Sequence, residues 1–222
     1  MQFFQMTASK GAYLFGLELK KQLEEGKRVL WLVSGGSNIP LTVQVMNELP
    51  AKLTSQLTII PIDERYGPVG HKDSNVQQLY DAGFEPKQAT FVAPLANVSL
   101  DQTVIRYTQA LENALNNTDL VVAQIGMGTD GHIAGILPNS PALKAETLVT
   151  AYQGPDFMRL TMTLPSLRRI NQAYLFAYGR PKRAALDRLC DGDYPIDDQP
   201  AQVLRDLREV YVYNDQLEDR NA

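Results

Sequence analysis

Residue types that often build specialised sites are scarce in this sequence. Its 222 residues include one cysteine, Cys190, two histidines and one tryptophan. A single cysteine cannot close a disulfide within the chain, so nothing in the cysteine usage indicates an oxidising compartment. Two histidines far apart in the sequence and one cysteine do not give the ligand spacing of a zinc site. We therefore expect no metal centre.

Long apolar runs are also missing. No stretch reaches the roughly 18 consecutive apolar residues that a membrane span needs, and the first ten residues lack the pattern of a signal peptide. The sequence predicts a soluble, cytoplasmic protein that does not associate with a membrane. The net charge of −4 makes nucleic acid a poor partner. An anionic small ligand would need a local cluster of basic side chains.

The composition is that of a globular protein. With 44% hydrophobic and 21% charged residues, the chain can bury a large core. Repeats, low-complexity tracts and linkers are absent from the sequence. We expect one domain over residues 1–222.

Short apolar runs alternate with amphipathic stretches along the chain. The expected strands are residues 28–33, 57–62, 120–125, 159–164, 173–178 and 210–213. The expected helices are residues 7–25, with Ser9 as a candidate cap, a segment opened by Pro40, residues 100–115, and a segment beginning near Pro181. This alternation predicts an α/β fold with a mainly parallel, twisted sheet flanked by helices, of Rossmann-like type. In such sheets, ligands bind beyond the carboxyl ends of the strands.

The first expected strand runs into a glycine-rich loop, Ser34-Gly35-Gly36-Ser37-Asn38. Glycine lets the backbone approach a ligand, and free amide groups at the following helix start can hold an anion. A tight connection that binds nothing is the other interpretation of this loop.

The second expected strand is followed by three adjacent charges, Asp63, Glu64 and Arg65. Charges at the end of a buried strand are costly unless they pair or face a cleft. Because neighbouring side chains of an extended segment point in opposite directions, one acid can brace the scaffold while Arg65 meets a substrate. A surface ion cluster remains the alternative. Nearby His71 is expected to be an exposed loop residue.

The third loop has the sequence Gly-Met-Gly-Thr-Asp-Gly-His at residues 126–132. Of the three loops, it is the one that most specifically indicates catalytic chemistry. His132 is one of only two histidines, and Asp130 lies two positions before it. An imidazole can act as a general base on water, and a carboxylate can orient it. The glycine spacing is wrong for a dinucleotide site. The sequence also lacks the Gly-x-Ser-x-Gly motif of serine hydrolases.

Taken in this order, the three loops resemble those of the 6-phosphogluconolactonases, within the glucosamine-6-phosphate isomerase/6-phosphogluconolactonase superfamily. The resemblance extends over Ser74-Asn75, residues 159–165 and residues 179–182, and so spans most of the chain. It implies hydrolysis of a phosphorylated sugar lactone, the small-molecule partner, without a cofactor. It gives no oligomeric state.

The resemblance also implies roles for individual residues. His132 is expected to activate the attacking water, with Asp130 beside it and Arg65 assisting near the lactone. The substrate is expected to contact Asp63 and Gly128. A phosphate cradle is expected from Ser34, Gly35, Gly36, Ser37, Arg159 and Lys182.

Two other functions stay open. A glucosamine-6-phosphate isomerase/deaminase of this superfamily would carry a tyrosine at Arg65 and a glutamate at Leu137, whereas Ile133-Ala134 is closer to that branch. A sugar-phosphate-binding module without chemistry is the third possibility. The presence of His132 with Asp130 favours catalysis.

Overall fold

The computed structural model describes residues 1–192 and 194–222. Its strands are β1 (Gln2–Gln5), β2 (Val29–Val33), β3 (Leu57–Pro61), β4 (Asp63–Arg65), β5 (Thr90–Phe91), β6 (Leu120–Gly126), β7 (Val149–Gln153), β8 (Met158–Met162), β9 (Gln172–Ala177), β10 (Glu209–Asn214) and β11 (Arg220–Asn221). Its α-helices are α1 (Ala8–Glu24), α2 (Ile39–Glu48), α3 (Ala51–Thr54), α4 (Asn75–Asp81), α5 (Leu100–Asn116), α6 (Leu164–Leu167) and α7 (Arg183–Asp191). None of the helices in these two ranges has the length and apolar character to cross a membrane.

Eight strands form the main sheet, in the order β11-β1-β10-β9-β6-β2-β3-β5. Neighbours are parallel except β11, which pairs antiparallel with β1. The predicted α/β fold with a mainly parallel sheet is therefore confirmed. A second sheet, β4-β8-β7, is antiparallel and was not expected from the sequence.

Strand β2 shows how the core is divided by the main sheet. All five of its residues are buried. Leu30 and Leu32 pack on one face of the sheet with Tyr107 of α5, whereas Trp31 packs on the other face with Phe15 of α1. Because alternate side chains of a strand point to opposite faces, a continuous apolar run is the pattern of a strand covered on both sides.

Two expected boundaries were wrong. Thr7, not Ser9, caps α1, because its hydroxyl accepts a hydrogen bond from the Lys10 N–H at 3.3 Å. Strand β8 ends at Met162, short of the expected residue 164, because Leu164 begins α6. Pro165 lies in the first turn of α6, where a missing N–H costs no helical hydrogen bond.

The parallel register brings the ends of β3, β2, β6 and β9 to one edge of the sheet. The loops that follow β2 and β6 are tied together by Gln124, a fully buried polar residue within an apolar strand. Its Nε2 donates to the Asn38 carbonyl at 3.2 Å, and its Oε1 accepts from the Thr42 hydroxyl at 3.1 Å. Residues 34–38 are thereby fixed against β6.

Replacing Gln124 with leucine is expected to lower the free energy of unfolding by about 1–3 kcal/mol, because the Asn38 carbonyl and the Thr42 hydroxyl lose buried partners. Urea unfolding measures this change. Gln77→Leu is the control, since the Gln77 side chain bonds Asp81 in an exposed position. Equal stability of the two variants would contradict the tie between the loops.

Candidate active site

A cavity of about 290 Å³ opens at the carboxyl edge of the main sheet. It is lined by Ser34, Gly35, Gly36, Ser37, Asn38, Asp63, Arg65, Asn75, Gly126, Met127, Gly128, Thr129, His132, Ala134, Gly135, Arg159 and Lys182. Among the described residues, no group of three or more histidine, cysteine, aspartate or glutamate side chains is placed to hold a metal ion.

Residues 34–38 form the floor of the cavity beside α2. Ser34 is buried, and its Oγ accepts a hydrogen bond from the Gly126 N–H at 3.2 Å. A 3-10 turn, Gly36–Asn38, leads directly into α2. No side chain caps the start of the turn or the start of the helix. The amide groups of this turn are therefore suited to an anion in the cavity.

Strand β4 separates its charges by alternation, as the sequence predicted. Asp63 and Arg65 line the cavity, whereas Glu64 points the other way and is fully buried. The Glu64 carboxylate accepts hydrogen bonds from the N–H groups of Arg65 (2.7 Å), Asn75 (2.7 Å) and Val76 (3.0 Å) and from the Ser74 hydroxyl (2.9 Å). Burial raises the pKa of Glu64, and these four hydrogen bonds oppose that rise. Glu64 is the acid that braces the scaffold.

Asp63 is a buried carboxylate in the cavity wall. Burial raises its pKa, while the charges of Arg65, Arg159 and His132 act in the opposite direction. Asn75 Nδ2 donates to the Asp63 carbonyl at 2.9 Å and lies 3.4 Å from Oδ2. The carboxylate is thus held in place by its neighbours.

Two arginines face each other across the β4–β8 pair, where Arg65 lies opposite Arg159. Arg65 Nη1 donates to the Asp73 carbonyl at 2.8 Å, and its guanidinium lies 5.5 Å from the centre of the Phe157 ring. Arg159 Nη2 donates to the Asp156 carboxylate at 2.8 and 3.0 Å. In both residues Nε is buried and has no partner among the described residues. Both residues line the cavity, so each guanidinium brings a positive charge to it.

His132 and Asp130 form a close pair. Nδ1 of His132 lies 2.7 Å from Asp130 Oδ1, and the His132 N–H donates to the same oxygen at 3.1 Å. Burial alone would raise the pKa of Asp130, but the hydrogen bonds and charge of His132 hold it below its usual value. The ionised carboxylate accepts the Nδ1 proton, which leaves Nε2 as the basic nitrogen of the ring.

Gly128 makes room for this pair. A β-carbon at position 128 would overlap Nδ1 of His132 and lie 2.6 Å from Asp130 Oδ1. Its N–H donates to the His132 carbonyl at 2.9 Å, which closes the loop on itself. Glycine is required here by close packing.

Lys182 reaches the cavity from the 3-10 turn Arg180–Lys182 after β9. Burial lowers its pKa, and the nearby carboxylate of Asp215 only partly restores it. The helix expected near Pro181 begins with this turn and continues as α7.

The structure brings the residues that were assigned to the site from the sequence into one place. Asp130 alone among them does not line the cavity, and it contacts His132 directly. The sequence placed Asn38 in the glycine-rich loop and Asn75 in the motif of the resemblance, but neither was among the expected site residues. Both are buried in the cavity wall, with an Oδ1 atom that has no partner in the described part of the chain. Asn75 follows Ser74, the cap of α4, and its sequence signal was the Ser74-Asn75 pair of the family resemblance.

His71 lies in a loop, as expected, but the expectation that it is exposed was wrong. The residue is half-buried, and its Nε2 lies 2.9 Å from the Arg65 carbonyl. A turn over residues 68–71, closed by the His71 N–H on the Pro68 carbonyl at 3.2 Å, folds the ring back against β4. His71 does not line the cavity.

Fold and cavity define an α/β protein with a cation-rich ligand site at the carboxyl edge of its sheet. The model of the family described as glucosamine-6-phosphate isomerases/6-phosphogluconolactonase matches residues 5–212, and the chain belongs to this family.

Some relatives of this chain are named as lactonases and others as deaminases. The 6-phosphogluconolactonase of Mycobacterium tuberculosis is 27% identical over 207 residues, covering 86% of this chain and 84% of the relative. The glucosamine-6-phosphate deaminase of Lactobacillus johnsonii is also 27% identical, over 220 residues, covering 90% and 87%. Overall likeness therefore does not separate the two activities.

Solved structures share the fold. A 6-phosphogluconolactonase from Shewanella baltica superposes with a TM-score of 0.81 at 22% identity, covering 96% of both chains. A monomeric glucosamine-6-phosphate deaminase gives 0.78 at 20% identity, covering 96% of this chain and 97% of its own. The distinction must come from the residues of the cavity.

Replacing Glu64 with glutamine is expected to lower the free energy of unfolding by about 1–3 kcal/mol, because the amide nitrogen cannot accept the hydrogen bonds that converge on the carboxylate. Urea unfolding at pH 7 measures it. Glu112→Gln on the exposed face of α5 is the control and should change stability by less than about 0.5 kcal/mol. Equal effects would show that Glu64 does not brace this part of the structure.

Proposed function

We propose that this chain is a 6-phosphogluconolactonase, which hydrolyses 6-phospho-D-glucono-1,5-lactone to 6-phosphogluconate in the oxidative branch of the pentose phosphate pathway. The observation that carries the proposal is a single cavity lined both by the Asp130-paired His132 and by Arg65, Arg159 and Lys182. The proposed enzyme is a cytoplasmic, single-domain protein over residues 1–222 that uses no cofactor.

The substrate phosphate is assigned to Arg159, Lys182 and residues 34–37. Arg159 and Lys182 bring positive charge to the cavity, and the uncapped turn before α2 offers N–H groups. An anion at such a helix start is stabilised both by direct hydrogen bonds and by the helix dipole. Phosphate held here positions the lactone for reaction.

His132 is the proposed general base. Nε2 takes a proton from water, whose oxygen attacks C1 of the lactone while the carbonyl π electrons move onto the carbonyl oxygen. Collapse of this oxyanion breaks the bond between C1 and the ring oxygen. The ring oxygen receives the proton from His132, and the open acid is released. Asp130 stabilises the transient imidazolium, in the way a carboxylate does in other histidine-dependent hydrolases.

Arg65 and Asp63 are assigned to the sugar ring. Arg65 is fixed by the Asp73 carbonyl and by Phe157, so its remaining donors are directed without further loss of side-chain entropy. Asp63 offers a buried carboxylate to the ring hydroxyl groups or the attacking water. Gly128 contributes by allowing His132 and Asp130 to pack against its backbone.

The structure favours a lactonase over an isomerase/deaminase at Leu137. In the isomerase pattern, a glutamate at this position assists the histidine in ring opening. Leu137 instead packs against the apolar core and does not line the cavity. Arg65 replaces the tyrosine of that pattern. An apolar side chain at residue 137 cannot transfer a proton.

Freshly generated 6-phosphogluconolactone, assayed beside glucosamine-6-phosphate with ammonia detection, tests the proposed function. Lactone opening faster than the spontaneous rate, without ammonia, is expected. Ammonia release would assign the chain to the isomerase branch. If neither substrate turned over but both raised the melting temperature, the chain would be a binding module.

His132→Ala is expected to lower kcat about 10²- to 10⁴-fold, the range typical for loss of a general base, with the fold intact. The measurement is initial rate after subtraction of spontaneous lactone hydrolysis, with circular dichroism to check folding. His71→Ala is the matched control and should reduce the rate by no more than a few-fold. A near-normal rate in His132→Ala would remove the residue from the mechanism.

The affinity for 6-phosphogluconate is expected to fall as the pH becomes alkaline. This fall should begin at a lower pH than it would if the phosphate were held by a lysine of ordinary pKa. Burial lowers the pKa of Lys182 from 10.5, and only its protonated form attracts phosphate. As pH rises through this lowered pKa, the charge is lost and the dissociation constant increases. The phosphate stays a dianion throughout, since its second pKa is about 6.

Calorimetric titrations between about pH 7.5 and 10 measure this effect. Lys182→Arg is the control, because a guanidinium keeps its charge over the whole range. Parallel pH profiles for the wild type and this variant would contradict the assignment of Lys182 to the phosphate.

A further inference from the structure

A tight turn follows His132 in the cavity wall. The Ile136 N–H donates to the Ile133 carbonyl at 2.8 Å, and the two residues between them, Ala134 and Gly135, have φ values of +53° and +70°. Two central residues with positive φ are the pattern of a type I′ turn. Alanine adopts this conformation only at a cost, so the surroundings must hold the turn in place.

Two buried hydroxyl groups hold the carbonyls of this turn. The Thr161 hydroxyl on β8 donates to the Ala134 carbonyl and also lies 2.7 Å from the Met162 carbonyl of its own strand. The Tyr152 hydroxyl on β7 donates to the Gly135 carbonyl at 2.6 Å and accepts from the Leu137 N–H at 3.2 Å. Both side chains belong to the small antiparallel sheet. The turn is therefore oriented by that sheet.

The direction of one N–H follows from this anchoring. The chain has no cis peptide bond in its described part, so the Ala134 carbonyl and the Gly135 N–H of the same peptide unit point in opposite directions. The carbonyl points to Thr161, which is fully buried and lies outside the cavity wall. The N–H therefore points away from Thr161.

The Gly135 N–H has no hydrogen-bond partner among residues 1–192 and 194–222. Gly135 is nevertheless buried, and it lines the cavity together with His132 and Asp63. A buried N–H without a partner is costly, and in native structures it is normally satisfied by water or a ligand. A ligand atom in the cavity would satisfy it.

We propose that the Gly135 N–H is the donor that stabilises the oxyanion formed at the lactone carbonyl when water attacks. This role rests on the proposed lactonase function and assigns the donor that its mechanism needs. A backbone N–H fixed before reaction stabilises developing charge without having to reorganise. Only glycine fits at residue 135, because a β-carbon would lie 2.9 Å from Asp63 Cβ and 3.0 Å from its Oδ2.

Thr161 is then a positioning residue. Thr161→Val removes the hydroxyl with little change in shape and frees the Ala134 carbonyl, so the peptide unit can rotate. We expect kcat for 6-phosphogluconolactone to fall about 10- to 100-fold, below the roughly 10²- to 10³-fold of complete donor loss. KM should change less than about threefold, since the donor acts mainly on the transition state. Thr161→Ser keeps the hydroxyl and should restore kcat.

Thr163→Val provides the matched control. Thr163 is equally buried just beyond β8, and its hydroxyl donates to the Thr147 carbonyl outside the cavity. Both valine variants should lose similar thermal stability, but only Thr161→Val should lose kcat. Equal kcat in the two valine variants, or no rescue by serine, would overturn the proposal. A wild-type protein unable to open the lactone would instead reject the proposed function itself.

A direct test replaces the N–H without touching a side chain. Cell-free translation with glycolic acid at residue 135 converts this peptide bond to an ester, which has no hydrogen to donate. A fall in kcat of at least tenfold with KM nearly unchanged would support the role of the N–H. Unchanged kcat in this ester variant would overturn it.

Discussion

A buried carboxylate, Glu64, holds together the part of the structure on which the cavity depends. It receives hydrogen bonds from its own strand and from the start of α4, and so joins β4 to the helix that carries Asn75. Because alternate side chains of a strand point to opposite faces, the burial of Glu64 on one face places Asp63 and Arg65 on the other face, toward the cavity. The pairing of β4 with β8 then places Arg159 beside Arg65. The constraint on one acid thus sets the positions of three charged groups.

The sequence was most informative where strands are apolar. The runs at β2, β3, β6, β9 and β10 were predicted closely, because a strand buried on both faces leaves a continuous apolar signature. β1 was missed because its four residues include two glutamines at the ends. One strand of the small sheet, β8, was expected, but the sheet itself was missed because β4 is charged and its partner β8 lies far away in the chain, so that no local pattern marks the pairing.

The site was predictable to a different degree at each residue. Ser34, His132 and their neighbours follow strands, and parallel strands must bring such loops to one edge. Arg159 and Lys182 were assigned to the site only through the family resemblance. An arginine in a strand and a lysine in a basic cluster form no sequence pattern that indicates a ligand site. The unpaired oxygens of Asn38 and Asn75 depend on the packing of side chains from several elements, which sequence spacing does not express.

The family combines two chemistries on one scaffold, and this chain shows where they diverge. His132 and Asp130 do not by themselves distinguish the two activities, since a histidine paired with a carboxylate is a general acid–base group for many reactions. The two residues on which the proposed distinction rests are placed differently: Arg65 lines the cavity, whereas Leu137 packs against the core. A change of activity would therefore require a change in which residues face the cavity as well as in their chemical type.

The cavity is built from two sheets, and this division has a consequence for folding. His132 and residues 34–38 come from loops of the main sheet, whereas Asp63, Arg65, Arg159 and the hydroxyl groups that orient the turn at Gly135 belong to the small sheet. The cavity is therefore complete only when both sheets have formed and packed together. During refolding, ligand binding should therefore not recover before Trp31 is buried in the main sheet, because the cavity needs both sheets.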